Sequence, residues 1–585
     1  MEVESGYKLV VAVDYGTTFT AFAIKSNAVG QADTDSIRLI TRWPPGVTSG
    51  FDTPSLISYT HNGEPPLWGY QVEPGMQSYA WTKLLLDRNI QHGDFDDEML
   101  RVVTGSKILQ LPDQKEAVDT VADYLSQIYG HIQYHLPRVV ELPRGCGGDP
   151  SGVPIYFCFT TPASWSEQTR SLMREAIRRA GFETSPLHQV WTATEPEAAA
   201  LAVFSEKRFN LQSHDGVLIC DCGGGTVDIT TYYVTDVVPT ISIEQITAAM
   251  GAKCGGTAID SRFYEFVSSR LEGEFDNLPM SEIQPGSRAM TRFEEVKKAF
   301  DGKSEVTWHF DFNLNAPSTH SAFSNQKQRR VFLRSQDVRG LYEPVLGSIF
   351  ALIRSQISAA NERCRRDVIN KVVLVGGFSA SPYLQETLQR ALKHIGNISV
   401  LVPMNPGETV VRGATLQGLR GYSPPTYKCW RNYGLASVQL FDLSHQNELQ
   451  GLEYGSSTLP ANFFVHWVLC KGQRYSNEFQ SSFTIRVLHR ENDLLVKAVD
   501  IYESNVPVTS ARVGNPDMRR VDYIECHFNG LDLTRFPHQT IAGQTVYYLE
   551  VSVEVSFPMT DRVIRFSARA LDQEIGEKYL TMAHD

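Results

Sequence analysis

Leu218-Ile219-Cys220-Asp221-Cys222-Gly223-Gly224-Gly225-Thr226-Val227-Asp228 decides how this chain folds. An apolar run that reads as a buried strand meets an Asp, then a Gly/Thr turn, then a second β-rich run from Ile229 to Val234. The expectation is a β-hairpin. Three successive glycines lose backbone entropy on folding and return no packing. They make sense where bare backbone N–H groups must approach something closely, and an anionic phosphate is the usual guest of such a nest. Asp221 beside the turn suits a hydrated Mg2+. Val11-Ala12-Val13-Asp14-Tyr15-Gly16-Thr17-Thr18 carries nearly the same message, with Ala21 to Ile24 as its second run. Taken alone, this stretch also suits a plain β-turn. Together the two suggest a duplicated fold that grips one nucleotide from both sides.

The chain has 585 residues, enough for several domains or for one large bilobal unit plus a smaller one. A net charge of −12 argues against nucleic acid or an anionic membrane as the main partner. No apolar run is long enough to span a bilayer. The start, Met1 to Gly6, lacks a basic region and an apolar core, so no secretory leader is expected. The nine cysteines form no C-x-x-C pair, which points to a reducing compartment, cytoplasmic with the nucleus open. Cys220 and Cys222 flank Asp221 and read as small buried thiols.

Mixed β and α patterns run to about residue 420. Leu142 to Pro154 reads as a Gly/Pro-rich loop, Asn315 to Arg330 as a surface loop, and Gly421 to Pro425 as a boundary. Beyond it helical patterns largely vanish. Val551, Val553, Val555 and Phe557 alternate with polar residues, as do Ile564, Phe566, Ala568 and Ala570, and Phe483 to Val487 fits the same period. The last part therefore reads as a β-sandwich.

Between the hairpins, Thr160-Thr161-Pro162 ends a strand, and Ser164-x-x-Glu167 has capping-box spacing for a helix that Gly181 stops. Glu195 precedes Pro196 at a second helix start, where a carboxylate either favours the dipole or sits near a metal. Val372 to Val375 is a strand followed by Gly376-Gly377 and a helix from Tyr383 to Leu392. Such a turn lets a flat ring or sugar press on backbone, or serves close packing. His131 and His135 share a helix face but lack a third metal ligand.

The order of these motifs is more telling than any one of them. In that order the sequence resembles the actin-like ATPase superfamily and, within it, the 70-kDa heat-shock protein family, in its divergent branch numbered twelve. The resemblance implies a bilobal α/β ATPase domain over 1–421 and a lidless, peptide-binding β-sandwich over 422–585. It implies ATP or ADP with Mg2+ as cofactors. Asp14, Glu195 and Asp221 match the acidic positions around the metal and its waters, Asp14 and Asp221 meeting the metal through water. Gly16, Thr17, Thr18 and Phe19, with Gly223, Gly224, Gly225 and Thr226, match the phosphate turns. Gly255-Gly256 matches a further Gly-Gly turn, and Gly376, Gly377 and Phe378 match the adenosine motif. Lys83 is similar in context to the catalytic lysine, a surface lysine being the alternative. Pro162 and Arg170 keep the spacing of a switch that senses the γ-phosphate. Glu294 and Lys297 match a pair that embraces adenosine, and otherwise form an i,i+3 ion pair.

Departures accompany the match. Thr257 and Ala258 stand where the family has acids, although Asp260 remains, and Phe378 and Ala380 stand where it commonly has a Ser and an adenine-stacking Arg. The acidic, leucine-rich interdomain linker is replaced by Ser423 to Gly434. The resemblance implies apolar peptide segments, cochaperones or exchange factors as partners. Three functions stay open: an ATP-hydrolysing chaperone-like protein, a nucleotide-binding scaffold with little hydrolysis, and a small-molecule kinase of the same superfamily.

Overall fold

The computed structural model describes residues 9–26, 37–46, 50–60, 64–87, 94–99, 109–139, 153–237, 241–271, 275–312, 324–325, 330–396, 398–420, 426–429, 431–438, 463–471, 473–476, 479–504, 517–541, 544–557 and 563–581. The chain divides into two compact units, Met1–Tyr422 and Ser423–Asp585.

The first unit is built on two sheets with one plan. In the first, β1 (Leu9–Tyr15) pairs antiparallel with β2 (Phe19–Ser26) and parallel with β3 (Ile155–Thr161), which pairs parallel with β4 (His188–Thr194). In the second, β5 (Gly216–Cys222) pairs antiparallel with β6 (Val227–Asp236) and parallel with β7 (Ile369–Val375), which pairs parallel with Ser399–Leu401. β1 and β5 are central, buried on both faces, which is why they read as unbroken apolar runs. The antiparallel hairpin next to each central strand carries its Asp and Gly turn to the same end of its sheet.

Helices cover these sheets. α1 (Thr82–Leu85) is a single turn. α2 (Ala117–Val139) buries Val121, Leu125, Ile128, Ile132 and Leu136 at helical spacing. His131 and His135 belong to its packing: His131 stacks on Trp43 at 5.3 Å and bonds the Arg42 carbonyl at 2.9 Å. Burial pushes both imidazoles below their usual range, His131 to about 4. α3 (Glu167–Arg179) ends at Ala180, with Gly181 at φ +98. Its cap is Ser166, not the expected Ser164: the Ser166 hydroxyl accepts from the Thr169 amide at 3.2 Å. The Ser164 amide turns instead to the Asp228 carboxylate at 3.3 Å, alongside the Ala163 amide at 2.9 Å. That carboxylate sits across the hairpin from Asp221, a tertiary partner that local spacing does not reveal.

The Asn315–Arg330 stretch is not simply a loop. Ser324–Asn325 pairs with Arg330–Arg334, whose buried Val331 and Leu333 draw that strand onto Thr307–Asp311. The remainder of the stretch, most of the Leu142 loop and the Gly421–Pro425 boundary lie outside the described residues.

The second unit is a β-sandwich. One sheet runs Phe463–Leu469, Asn432–Val438, Val496–Ser504 and Met518–His527; the other runs Gln480–Arg490, Gln544–Ser556, Val563–Ala570 and Gln573–Thr581. Leu435, Ile501, Ile524, Val551, Val553, Val555, Phe566 and Ala568 form one core between them. Among the described residues, no helix is long and apolar enough to cross a membrane.

Candidate nucleotide site

The two hairpins meet. In the first, the Gly16 amide donates to the Phe19 carbonyl at 3.0 Å, and Ser55 Oγ holds the Gly16 carbonyl at 2.8 Å. A Cβ at Gly16 would lie 2.3 Å from the Phe19 oxygen, so the turn admits only glycine. In the second, the Gly223 amide donates to the Thr226 carbonyl at 2.9 Å. A Cβ at Gly224 would fall 2.3 Å from Thr18 Oγ1, and one at Gly225 would fall 2.4 Å from Thr17 Oγ1. The close approach read from the glycines is thus, first of all, an approach to the threonines of the other hairpin.

α4 (Glu195–Ser205) begins at the Glu-Pro pair, and α5 (Gly256–Arg270) follows the Gly255-Gly256 turn. The amides of Gly255, Gly256 and Thr257 donate to the carbonyls of Gly225, Gly223 and Gly224, which fixes the glycine turn from behind. Gly255 is the one expected binder that does not line the cavity. Its Cβ would come within 2.7 Å of two carbonyl oxygens of the glycine turn, so packing on that turn, not ligand contact, requires glycine there.

Carboxylates gather beneath the hairpins. Asp14 accepts from Thr160 Oγ1 at 2.7 Å. Lys83, on α1, donates to Glu195 Oε1 at 2.6 Å, and both are buried. Lys83 is therefore not a surface lysine. Burial opposes its charge, but Glu195 and Asp14 outweigh that and raise its pKa. Burial, with Glu195 next, pushes the Asp14 carboxyl up to about 6 and Asp228 to about 7. Burial and the charges of Glu195, Asp14 and Asp228 push Asp221 well above the usual carboxylate range. Arg170 donates to the carbonyls of Trp165 and Ala163 at 3.2 and 3.1 Å, clamping the Pro162 loop whose amides reach Asp228.

Asp14, Lys83, Glu195 and Asp221 line one cavity of about 440 Å3, within the usual range for small-molecule sites, and Thr160, Arg170 and Asp228 stand behind it. Asp14, Gly16, Thr17, Thr18, Phe19, Lys83, Glu195, Asp221 and Gly223 to Thr226 form one end. Gly256, Glu294, Lys297, Gly376, Gly377 and Phe378 lie further along it. The two Gly-Gly positions differ. Gly376, at φ +85, leaves room for Asp221, whose Oδ1 would be 2.2 Å from a Cβ there. Gly377 faces open space, where a ligand can press on backbone. On α6 (Arg288–Ala299), Lys297 bonds Glu294 at 2.6 Å and both oxygens of Asp260 at 2.7 and 2.9 Å. Glu294 and Lys297 are thus an ion pair and cavity walls at once.

Sequence reasoning left out several cavity residues: Phe51, Asp52, Lys298 and the Met404–Gly407 turn. Asp52 is in register with Ala21, itself opposite Asp14, so three strands place it beside the carboxylate cluster. Nothing in its local sequence marks it. Asp228 carried a signal, as the last residue of the decisive stretch.

The donors fit a hydrated Mg2+. Asp14, Glu195 and Asp221, which line the cavity, present hard carboxylate oxygens of the kind that hold such an ion.

Two sheets of one topology, each delivering a turn to a shared cleft, define the class: an actin-like α/β domain of the ATPase type. A family profile described as Hsp70 protein matches residues 155–422. Heat shock 70 kDa protein 12B of Homo sapiens is 23% identical over 502 residues, 71% of this chain and 69% of that protein. Heat shock 70 kDa protein 12A of Mus musculus is 23% identical over 499 residues, 71% of this chain and 70% of that protein. Residues 155–422 thus match the Hsp70 model, and the chain is similar to these two 70-kDa heat-shock proteins over about seven tenths of its length.

Proposed function

We propose that the first unit binds MgATP and hydrolyses it slowly, and that the protein acts as a chaperone whose sandwich takes apolar peptide segments. The observation that carries the reading is the meeting of a threonine turn and a glycine turn over Asp14, Glu195, Asp221 and Lys83 in one cavity. Amides of both turns and the Thr17 and Thr18 hydroxyls hold the phosphates. Asp14, Glu195 and Asp221 orient the attacking water and the waters around the metal. Mg2+ supplies neutralisation of phosphate charge. Lys83 stabilises charge building on the transferring phosphoryl group, leaving Glu195 to do so. Catalysis is positioning plus electrostatics, with no covalent intermediate. Because the turns come from different sheets, a nucleotide held by both favours closure of the two lobes.

A second reading rests on the 2.6 Å Lys83–Glu195 pair, which occupies the two groups hydrolysis needs. On it, ATP is a conformational ligand with little turnover. Single-turnover hydrolysis of radiolabelled MgATP, beside calorimetric binding and the Asp221→Asn variant, decides. Turnover above the variant's background establishes the ATPase, and binding without turnover establishes the second reading. No binding of ATP or ADP overturns both.

A further inference from the structure

One row of side chains crosses the floor of the cavity. Asp14 on β1 stands opposite Ala21 on β2, and Ala21 stands opposite Asp52 on the neighbouring strand Asp52–Pro54. Residues paired directly across strands share one face of a sheet, and all three line the cavity. Two strand spacings put the backbones of the two aspartates roughly 10 Å apart. The alanine between them carries only a methyl group, so the span above it stays open.

The two carboxylates keep different company. Asp14 lies with Glu195 and Lys83 under the phosphate turns. The charges that act most on Asp52 are Lys298, then Glu294 and Glu408. Lys298 and Glu294 line the cavity from α6, 3.4 Å from each other, and Lys298 lies over the Phe19 ring at 4.5 Å. Asp52 is thus within electrostatic reach of both parts of the cavity, the phosphate turns through Asp14 and the further part through α6. Strand register, not a loop, sets its place.

An ionised carboxylate accepts hydrogen bonds and donates none. It repels a phosphate and offers nothing to an acceptor on a base. It suits hydroxyl groups, which bond more strongly to a charged acceptor than to a neutral one, and an acid holds a ribose hydroxyl in the dinucleotide folds. Between its phosphates and its base a nucleotide presents the 2′ and 3′ hydroxyls of ribose. We propose that Asp52 accepts hydrogen bonds from these hydroxyls, so that the site selects ribonucleotides over their deoxy analogues. This rests on the nucleotide reading above and adds a specificity-determining residue to it.

Calorimetric titration of the full chain with MgATP and with Mg-2′,3′-dideoxy-ATP tests it without relying on turnover. The dideoxy analogue should bind at least about tenfold more weakly, as expected for hydrogen bonds to a charged group. Asp52→Ala should weaken ATP by a similar factor and bring the two ligands within about threefold of one another, because the hydroxyls and the carboxylate are one interaction. Inorganic triphosphate with Mg2+ has no sugar, and should bind Asp52→Ala at least as tightly as the unaltered chain. Equal affinities for ATP and the dideoxy analogue in the unaltered chain would overturn the inference and leave the nucleotide site intact. So would a preference that survives Asp52→Ala, or a loss of triphosphate binding as large as the loss of ATP binding, which would mark Asp52 as structural. Inosine triphosphate keeps both hydroxyls and lacks the exocyclic amine. If Asp52→Ala abolished a preference for ATP over inosine triphosphate instead, the carboxylate would be reading the base, and the inference would fail. Binding of none of these ligands to the unaltered chain overturns the nucleotide reading itself, and this inference with it.

Discussion

The two hairpins do the same job with opposite equipment. Each closes its turn with a Gly amide on the carbonyl three residues on, Gly16 to Phe19 and Gly223 to Thr226. The first then offers side chains, Thr17 and Thr18. The second offers bare backbone, Gly224 and Gly225, and the threonines fill the space its missing Cβ atoms leave. Two threonine turns would collide, and two glycine turns would leave a gap and no hydroxyls. The seats of the two aspartates differ in the same way. Asp14 is held by the Thr160 hydroxyl and helped by Lys83, whereas Asp221 rests on the empty side of Gly376 and faces other carboxylates. Burial raises both carboxyls; Thr160 and Lys83 oppose it at Asp14, whereas neighbouring carboxylates add to it at Asp221. A duplicated fold need not keep duplicated chemistry; it needs complementary surfaces where the copies meet.

The contrast can be broken most forcefully at the glycine turn. Gly224→Ala places a methyl on Thr18, an overpacking of roughly 1–3 kcal/mol that must part the turns. Nucleotide affinity should fall about a hundredfold or more, since 1.4 kcal/mol is tenfold and several phosphate contacts are lost together. Thr18→Gly in the same chain should restore part of the binding, although the single Thr18→Gly variant costs only about tenfold or less. Calorimetry on the four proteins reads the coupling. Equal losses with and without Thr18→Gly would show that the turns do not touch in solution.

Gly376→Ala comes next. It combines a positive φ with a clash on the Asp221 carboxylate, and should destabilise by about 1–3 kcal/mol, seen as a lowered urea midpoint. Ala at Gly377, which faces open space, should leave the midpoint within about 0.5–1 kcal/mol of wild type while still weakening ligand binding.

The buried carboxylates set a pH dependence. Asp14 and Asp228 rise from 3.8 to about 6 and about 7 on folding, so the native state binds more protons than the unfolded state across that window. Unfolding free energy therefore falls as pH rises from about 4 to about 7 in the presence of a chelator. Saturating MgATP should reverse much of that fall. Asp14→Asn should raise the melting temperature of the chelated protein at pH 7.5 and weaken MgATP binding at once. A drop in both would show that Asp14 is charged and well satisfied without ligand.

The smallest effect is expected at Thr160→Val, which removes the hydroxyl that bonds Asp14 at 2.7 Å. It should cost roughly 0.5–1.5 kcal/mol and move the acid limb of MgATP binding to higher pH, without touching the glycine turn. An unchanged limb would mean that the Thr160 bond does not set the carboxylate.

Particular residues mark how far the sequence could be read. Asp14, Asp221 and the glycine run were legible because turn chemistry is local: a φ value, a missing Cβ and a neighbouring carboxylate all lie within a few residues. The alternation of Val551, Val553 and Val555 was legible because a half-buried strand has a period of two. The same locality misplaced one cap, since Ser164 has the right spacing but the wrong partner. Asp52 carried no signal, because its place in the site comes from strand register with β2, not from its neighbours in the chain. Nor could the sequence say what Gly255, Gly376 and Gly224 avoid, which proved to be backbone, a carboxylate and a threonine from distant segments. By itself, then, the sequence determined the strands, the turns and the order of motifs that marks the family, since these follow from local sterics and periodic burial. The tertiary structure alone decided that the threonine turn and the glycine turn face each other, that Lys83 is buried on Glu195, and that the carboxylate cluster and the Glu294–Lys297 pair line a single cavity. Those are encounters between residues far apart in the chain, set by sheet register and packing, on which no local preference acts.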